Sequence, residues 1–524
     1  MEVLSSVAAV RCFVEQFRQD QGDRTIGLVP TMGALHGGHR SLIERSRTQD
    51  GLVIVSIFVN PLQFGPNEDF SQYPRALEAD LALCEGCGVD GVFVPTPESL
   101  GIGTEAEPFQ VVPPVGLTAG LCGRSRSGHF TGVATIVTKL LNIVQPDRGY
   151  FGQKDAQQVA ILRRLVTDLN IPVELVVCPI VREADGLALS SRNRYLSEGE
   201  RQTALSLSQA LGAARDCFER GDRQSSQLLQ AAQEILQGAG EAIALDYLEL
   251  VHPDTLEPLD RVEAVGLLAV AAQVGSARLI DNVLLRDRQP IIAIDGPAGA
   301  GKSTVTRRVA RELGLIFLDT GAMYRSVTWL ALREGKDPGD RLALADLVSQ
   351  AQIRLSAPVP SDDGAEQAGE AKVEVIYQGA THDVTAAIRT PEVTANVSAV
   401  AAHGEVRRSL VAQQQAMGLQ GGLVAEGRDI GTHVFPDAEV KIFLTATPTE
   451  RARRRQADLK ARNQDCPDLA TLEAEIQERD RLDSSRAIAP LRKAADAWEL
   501  VTDGMAIEAV VAAIKARYPG QNPA

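Results

Sequence analysis

Two stretches of this 524-residue chain carry residues whose types and spacing suit the handling of phosphate. One is Gly296-Pro-Ala-Gly299-Ala300-Gly301-Lys302-Ser303-Thr304, directly after the apolar run Ile291–Asp295. Only small residues let successive backbone N–H groups turn inward around a polyphosphate, and the helix that follows points its positive end at the same charge. In that frame Lys302 reaches the β/γ-phosphates and Ser303 a Mg²⁺ ion that arrives with ATP. A chance glycine-rich turn is the alternative, but the whole pattern sits between a strand and a helix, the context that confirms it. The other stretch is Met32-Gly33-Ala34-Leu35-His36-Gly37-Gly38-His39. Two imidazoles beside free N–H groups at a helix start can donate hydrogen bonds to phosphates as charge builds in a transition state. The plain alternative is that they only cap the helix.

Further candidates lie at corresponding places. Gln63 follows the run Gly51–Val59, and Gly152-Gln153-Lys154-Asp155 with Gln158 follows another apolar segment. A lone loop lysine is usually solvated, but Lys154 closes a predicted strand on the edge that carries the histidines. Val181 opens a mobile-looking loop ending in Leu189-Ser190-Ser191-Arg192, whose hydroxyls and guanidinium are phosphate-clamp chemistry. In the second half, Thr320 and Arg325 follow Leu315–Asp319, and Arg428-Asp429 follow Leu423–Gly427. The arginine-rich segments Glu450–Arg455 and Glu478–Arg486 would be a solvated face on an isolated helix. Beside a phosphate loop, mobile arginines can instead stabilise charge on the transferring group and expel water.

The elements that must position these groups are readable from periodicity. Thr25–Pro30 predicts a buried strand, and Gly51–Val59 is too continuously apolar for a half-exposed one, so it predicts a parallel sheet covered on both faces. Alternating strands and helices predict doubly wound α/β domains, whose ligands sit at the carboxyl ends of the strands. Leu245–Val251 and Gly266–Ala272 predict strands of a smaller domain. Lys372–Gln378 alternates and predicts an inserted antiparallel piece, whereas Pro358–Ala371 has the composition of a mobile loop without chemistry.

Length and composition set bounds. At ~100–200 residues per domain the chain should hold three or four domains. Its net charge of −15 disfavours a nucleic-acid polymer as partner and leaves soluble metabolites. The N-terminus lacks the apolar core of a signal peptide, and no run is long enough to span a membrane, so a cytoplasmic location is expected. Seven cysteines, an odd count, argue for reduced thiols; Cys84 and Cys87 have redox spacing but no second pair, and read as buried or incidental.

MGALHGGH (Met32 to His39), FVNPLQF (Phe58 to Phe64), FGQKDAQQ (Phe151 to Gln158) and LALSSRN (Leu187 to Asn193), in that order, resemble pantoate–β-alanine ligase. The resemblance covers roughly Met1 to Leu285. It implies a Rossmann-like nucleotidyltransferase domain over residues 1–178 and a small α+β lid domain over 179–285. ATP would lie along Met32–His39, Gly152–Asp155, Val181 and Leu189–Arg192. Gln63 and Gln158 would hold pantoate or β-alanine, His39 would be the proton donor, and His36 and Lys154 would assist. The implied reaction passes through pantoyl adenylate, then β-alanine displaces AMP. Dimerisation through this half is implied by the resemblance alone.

From Pro290 onward the chain is similar to bacterial cytidylate kinase. LDTGAMYR, IRTPEV (Ile388 to Val393), EGRDIGTHVFPDA and DSSRAIAPL (Asp483 to Leu491) carry the likeness. It implies a P-loop nucleoside-monophosphate kinase domain over 290–520, with an insert near 355–395 and a lid near 450–487. ATP would sit on Gly296 and Gly299–Thr304. By motif, Thr320, Arg325, Arg428, Asp429 and Asp483 would hold CMP or dCMP, with Arg407 a weaker candidate, and Arg479 and Arg486 would grip phosphates. No prosthetic group is implied. Two other readings remain: a nucleotide-sensing scaffold in either half, and adenylylation of a phosphate substrate by the first.

Overall fold

A computed structural model describes residues 1–21, 24–66, 68, 70–102, 109–356, 372–461, 466–484, 491–494 and 496–518. Its contacts divide the chain into two compact units, Met1–Asp287 and Arg288–Ala524. The stretch Pro358–Ala371 lies outside the described residues.

In the first unit, strands β1 (Glu2–Leu4), β2 (Ile26–Thr31), β3 (Leu52–Ile57), β4 (Gly91–Phe93), β5 (Arg148–Gly152) and β6 (Glu174–Cys178) form a sheet in the order β1-β4-β3-β2-β5-β6. Every pairing is parallel. All six residues of β3 are buried. Leu52 and Ile54 enter one apolar layer, while Val53, Val55 and Ile57 enter the other, which is why the run shows no polar alternation. The order reverses between β2 and β5, so the loops leaving their carboxyl ends diverge around a crevice. The opening helix is Val7–Gln21, preceded by the short strand β1 that its three residues barely signal. Cys84 is buried in this domain and its thiol is pushed up to about 12 by desolvation; all seven cysteines are free.

The smaller part of this unit is an antiparallel sheet of β7 (Ile243–Val251), β8 (Val265–Val274) and β9 (Ala277–Arg286) with helices Glu198–Glu219 and Ser225–Gly238. Leu267, Ala269 and Ala271 of β8 pack into the core of the large domain, whereas Leu268, Val270 and Ala272 pack against the two helices. Burial on both faces explains a continuously apolar antiparallel strand.

The second unit holds β10 (Ile292–Asp295), β11 (Ile316–Asp319), an inserted antiparallel sheet of β12 (Gln352–Ser356), β13 (Lys372–Tyr377) and β14 (Ala380–Asp383), then β15 (Leu423–Gly427), β16 (Val440–Thr445) and β17 (Trp498–Val501). The parallel sheet runs β11-β15-β10-β16-β17. Central β10 sends Ala293 into one apolar layer and Ile292 and Ile294 into the other. Its carboxyl end therefore opens mid-sheet, where a ligand is flanked on both sides. Among the described residues no helix is long and apolar enough to cross a membrane.

Candidate active sites

In the first unit the crevice between the ends of β2 and β5 is a cavity of about 250 Å³. From the first loop it gathers Met32, His36, Gly38 and His39; from the β5 end it gathers Gly152, Lys154, Asp155 and Gln158. Gln63 enters from the short helical turn Pro61–Gln63, and the smaller domain supplies Val181, Leu189, Ser190, Ser191 and Arg192.

The histidines are tied to the helix they open. His36 is the N-cap of helix Gly37–Gln49; its Nδ1 accepts from Gly38 N at 3.1 Å, and His39 Nδ1 accepts from His36 N at 3.4 Å. Accepting at Nδ1 puts the ring proton on Nε2 in both. Burial, then the Lys154 and Arg194 charges, lowers His36 to about 4; burial, then His36 and Lys154, lowers His39 to about 3. Both rings are thus neutral at pH 7. Nδ1 of each ring holds the helix start, which leaves the Nε2–H edge as a donor.

Gln63 is held at three points. Its Nε2 donates to Met32 Sδ at 3.0 Å, its Oε1 accepts from Asn60 Nδ2 at 3.1 Å, and its carbonyl lies 2.8 Å from His129 Nδ1. Arg126 reaches His129 Nε2 at 2.9 Å and forms a two-pronged pair with Glu68 at 2.7 Å. Burial, then Arg126, lowers His129 to about 4.

In the second unit the carboxyl ends of β10, β11 and β15 border a cleft of about 1140 Å³. Gly299 to Thr304 line it together with Thr320, Arg325, Arg407, Arg428, Asp429 and Arg479. Gly301 at φ 87° opens the helix Lys302–Leu313, a left-handed turn that suits glycine. Lys302 Nζ donates to the carbonyls of Gly296 and Pro297 at 2.7 and 2.8 Å. Ser303 Oγ donates to Glu426 Oε1 at 2.7 Å, and Thr320 Oγ1 donates to the Glu426 carbonyl at 2.7 Å. Burial, then Asp319, raises Glu426, and its Oε2 is buried without a hydrogen-bond partner among the described residues. Arg407 Nη2 pairs with Asp429 Oδ2 at 2.5 Å.

A family model described as Pantoate-beta-alanine ligase matches residues 2–284, and one described as Cytidylate kinase matches residues 292–519. The bifunctional pantoate ligase/cytidylate kinase of Synechococcus elongatus is 58% identical over 536 residues, spanning 100% of this chain and 99% of that protein. The chain belongs to the bifunctional pantoate ligase/cytidylate kinase family. The protein of that name from Synechocystis is 52% identical over 526 residues, covering 100% and 99%. Pantothenate synthetase from Thermus thermophilus aligns with TM-score 0.51 and 46% identity, over 54% of this chain and 99% of that one. This bifunctional ligase/kinase thus joins two ATP-using enzymes, a ligase in its first half and a kinase in its second.

Several residues picked from the sequence of this ligase/kinase are engaged within the fold. The Ala34 and Leu35 N–H groups are turned to the carboxylate of Asp80, at 2.9 and 2.7 Å, and Gly33 at φ 81° makes that turn. Gly37 packs beside Leu189, and the Gln153 side chain bonds Asn282 at 3.3 Å. Gly296 approaches β16 so closely that a Cβ would lie 2.0 Å from Leu444 O. Arg451, grouped in the sequence with mobile guanidiniums, is 3% exposed and fixed to Ala446 O, Ala298 O and Asp480. The arginines of that run that reach the cleft are Arg454 and Arg455. Arg486 and the side chain of Asp483 lie outside the described residues. Sequence reasoning missed Asn60, Asp80, His129 and Glu426. Asn60 and Glu426 had a signal, as polar groups inside the segments Phe58–Phe64 and Leu423–Gly427 already singled out.

Proposed function

We propose that the first cleft makes pantothenate by adenylation and the second phosphorylates CMP and dCMP. In the first, ATP lies along Met32–His39, Gly152–Asp155, Val181 and Leu189–Arg192. Gln63 and Gln158 hold pantoate. A pantoate carboxylate oxygen attacks the α-phosphorus, and the bond from phosphorus to the pyrophosphate oxygen breaks. The amine of β-alanine then attacks the acyl carbon, the acyl–phosphate bond breaks, AMP leaves, and the ammonium proton passes to solvent. The Nε2–H edges of His36 and His39, with Lys154 and Arg192, meet charge growing on the phosphates. His39 acts by donating a hydrogen bond rather than a proton, since its neutral ring carries no spare one at pH 7. The observation that carries this reading is that His36, His39, Gln63 and Gln158 line one cavity, with both Nδ1 atoms already engaged at the helix start.

In the second cleft, backbone N–H groups of Gly299–Thr304 and Lys302 hold the ATP phosphates. Thr320, Arg325, Arg407, Arg428, Asp429 and Asp483 hold the monophosphate, and Arg479 with Arg486 stabilises the transferring group. A Mg²⁺ ion fits beside Ser303, because a hydroxyl and the buried, half-satisfied carboxylate of Glu426 are hard oxygen donors of the kind it prefers. When bound with ATP, the ion neutralises charge between the β- and γ-phosphates.

A homodimer through the ligase half is supported by Phe109, Val112 and Val115, which are 91%, 71% and 78% exposed in one short stretch. The free cysteines suit a cytoplasmic location. Measuring AMP and pyrophosphate with pantoate alone and with added β-alanine tests the ligase reading. Pantoate alone should give enzyme-bound adenylate and pyrophosphate, and free AMP should require both substrates. Formation of ADP, or ATP cleavage driven by β-alanine alone, would refute it.

A further inference from the structure

We infer that Asp295 is a positioning residue that fixes the Arg428–Asp429 segment to the root of the phosphate-binding loop, so that one carboxylate sets the monophosphate site relative to ATP. The inference rests on the CMP-kinase reading and goes beyond it, since the Asp295 carboxylate accepts from the N–H groups of Ile430 and Gly431, which that reading does not place on substrate.

Asp295 is the last residue of β10, immediately before Gly296, and is 4% exposed. Its Oδ1 accepts from Ile430 N and its Oδ2 from Gly431 N, each at 2.7 Å. Those N–H groups open the helical turn Ile430–Val434 that follows Arg428 and Asp429. A turn of this kind exposes donors that a side chain at its own start usually satisfies. Here Asp429 makes no such bond, because its carboxylate is engaged by Arg407. The cap is supplied from another strand, across 135 positions of sequence. Parallel pairing places Asp295 opposite Gly427, the residue from which Arg428 departs. Gly431 leaves the needed room, since a Cβ there would stand 3.3 Å from Asp295 Oδ2.

The chemistry of the group argues for a positioning role. Desolvation raises Asp295 to about 7, helped by Asp429 and opposed by the two N–H donors and Lys302. Burying such a carboxylate costs stability that a neutral or apolar side chain would not. What only a carboxylate offers at this point is two acceptors facing two adjacent donors. An asparagine offers one acceptor and turns an amide N–H against the other.

The test is Asp295→Asn and, separately, Gly431→Ala, each in the full chain, with KM and kcat measured for CMP and for ATP. Both variants should raise KM for CMP about tenfold or more, as expected when a binding pair shifts by a fraction of an ångström. KM for ATP should stay within about threefold, and pantothenate formation should match the parent chain, reporting equal amounts of folded ligase. A merely structural role would lower kcat or thermal stability and leave the two KM values in proportion. Equal rises in both KM values, or no rise for CMP in a folded variant, would overturn the inference alone. If Asp295→Asn does not fold, Gly431→Ala decides, because it perturbs the same contact from the loop side. Absence of CMP phosphorylation in the parent chain would overturn the kinase reading and this inference with it.

Discussion

Replacing Gly132 by alanine should damage pantoate use selectively, and the size of the effect follows from one contact. Gly132 lies in the first turn of helix His129–Val144, against the backbone that presents Gln63. A Cβ there would stand 2.2 Å from Leu62 O, 2.4 Å from Leu62 C and 2.6 Å from Gln63 N. A carbon and a carbonyl oxygen sit comfortably at about 3.3 Å, so the two segments must part by about 1 Å. Backbone on both sides leaves no side chain free to swing away. The displacement passes directly to Gln63, because Asn60 bridges Gly132 O and Gln63 Oε1, and His129 of the same helix holds the Gln63 carbonyl. A misplacement of about 1 Å costs on the order of 10² in rate, and overpacking adds about 1–3 kcal/mol of destabilisation. The assay is pantoate-dependent exchange of labelled pyrophosphate into ATP, which isolates adenylation. CMP phosphorylation by the same preparation is the internal control. In a folded variant, kcat/KM for pantoate should fall about 100-fold while KM for ATP changes little. A pantoate kcat/KM within about threefold of the parent, or an equal loss for both substrates, would refute the reasoning.

The two activities should separate by single substitutions: Lys302→Ala should abolish CMP phosphorylation and spare pantothenate formation, since the lost cation lies at the phosphate-binding loop of the second unit's cleft. His39→Ala should do the reverse, with a loss of order 10²–10³ in kcat for removal of one preorganised donor; loss of both activities in either folded variant would mean shared or obligatorily coupled sites. Arg428→Ala should raise KM for CMP far more than for ATP, because Arg428 follows β15 and lies outside the phosphate loop, and equal effects would remove it from the monophosphate site. The units should also respond oppositely to acid. His36 and His129 are held at about 4 and His39 at about 3, so between pH 6.5 and 4 the unfolded chain binds more protons than the native ligase unit. Stability fully present above pH 6.5 is therefore lost as pH falls, on the order of 3 kcal/mol for the well-buried His129 alone. Asp295, raised to about 7, has the opposite sign and favours the kinase unit below that pH. Residual activities after heating at pH 8 and pH 5 should show the ligase losing ground to the kinase, and parallel losses would contradict the assignment.

How much of this protein is legible before folding depends on how local the determining interactions are. The phosphate loop after β10 was legible because it is written in neighbouring residues: small side chains permit the turn, and the adjacent helix supplies the field. The parallel sheets were legible because β3 and β10 are buried on both faces and so carry no polar alternation. The order of motifs along each half placed Gln63, Lys154 and Arg428 at strand ends, where this architecture puts ligands. What needed the tertiary structure is which distant group meets each local element. Asp80 takes the N–H groups of Ala34 and Leu35 from 46 and 45 positions away, His129 grips Gln63 from 66, and Glu426 meets Ser303 from 123. Arg451 shows the converse, a guanidinium in an arginine-rich run that packing assigns to a buried tether. Backbone preference and hydrophobic period act over a few residues and survive in the sequence as pattern. A hydrogen bond between remote segments has no period, and its partners are set by strand order, register and the few tenths of an ångström that close packing allows.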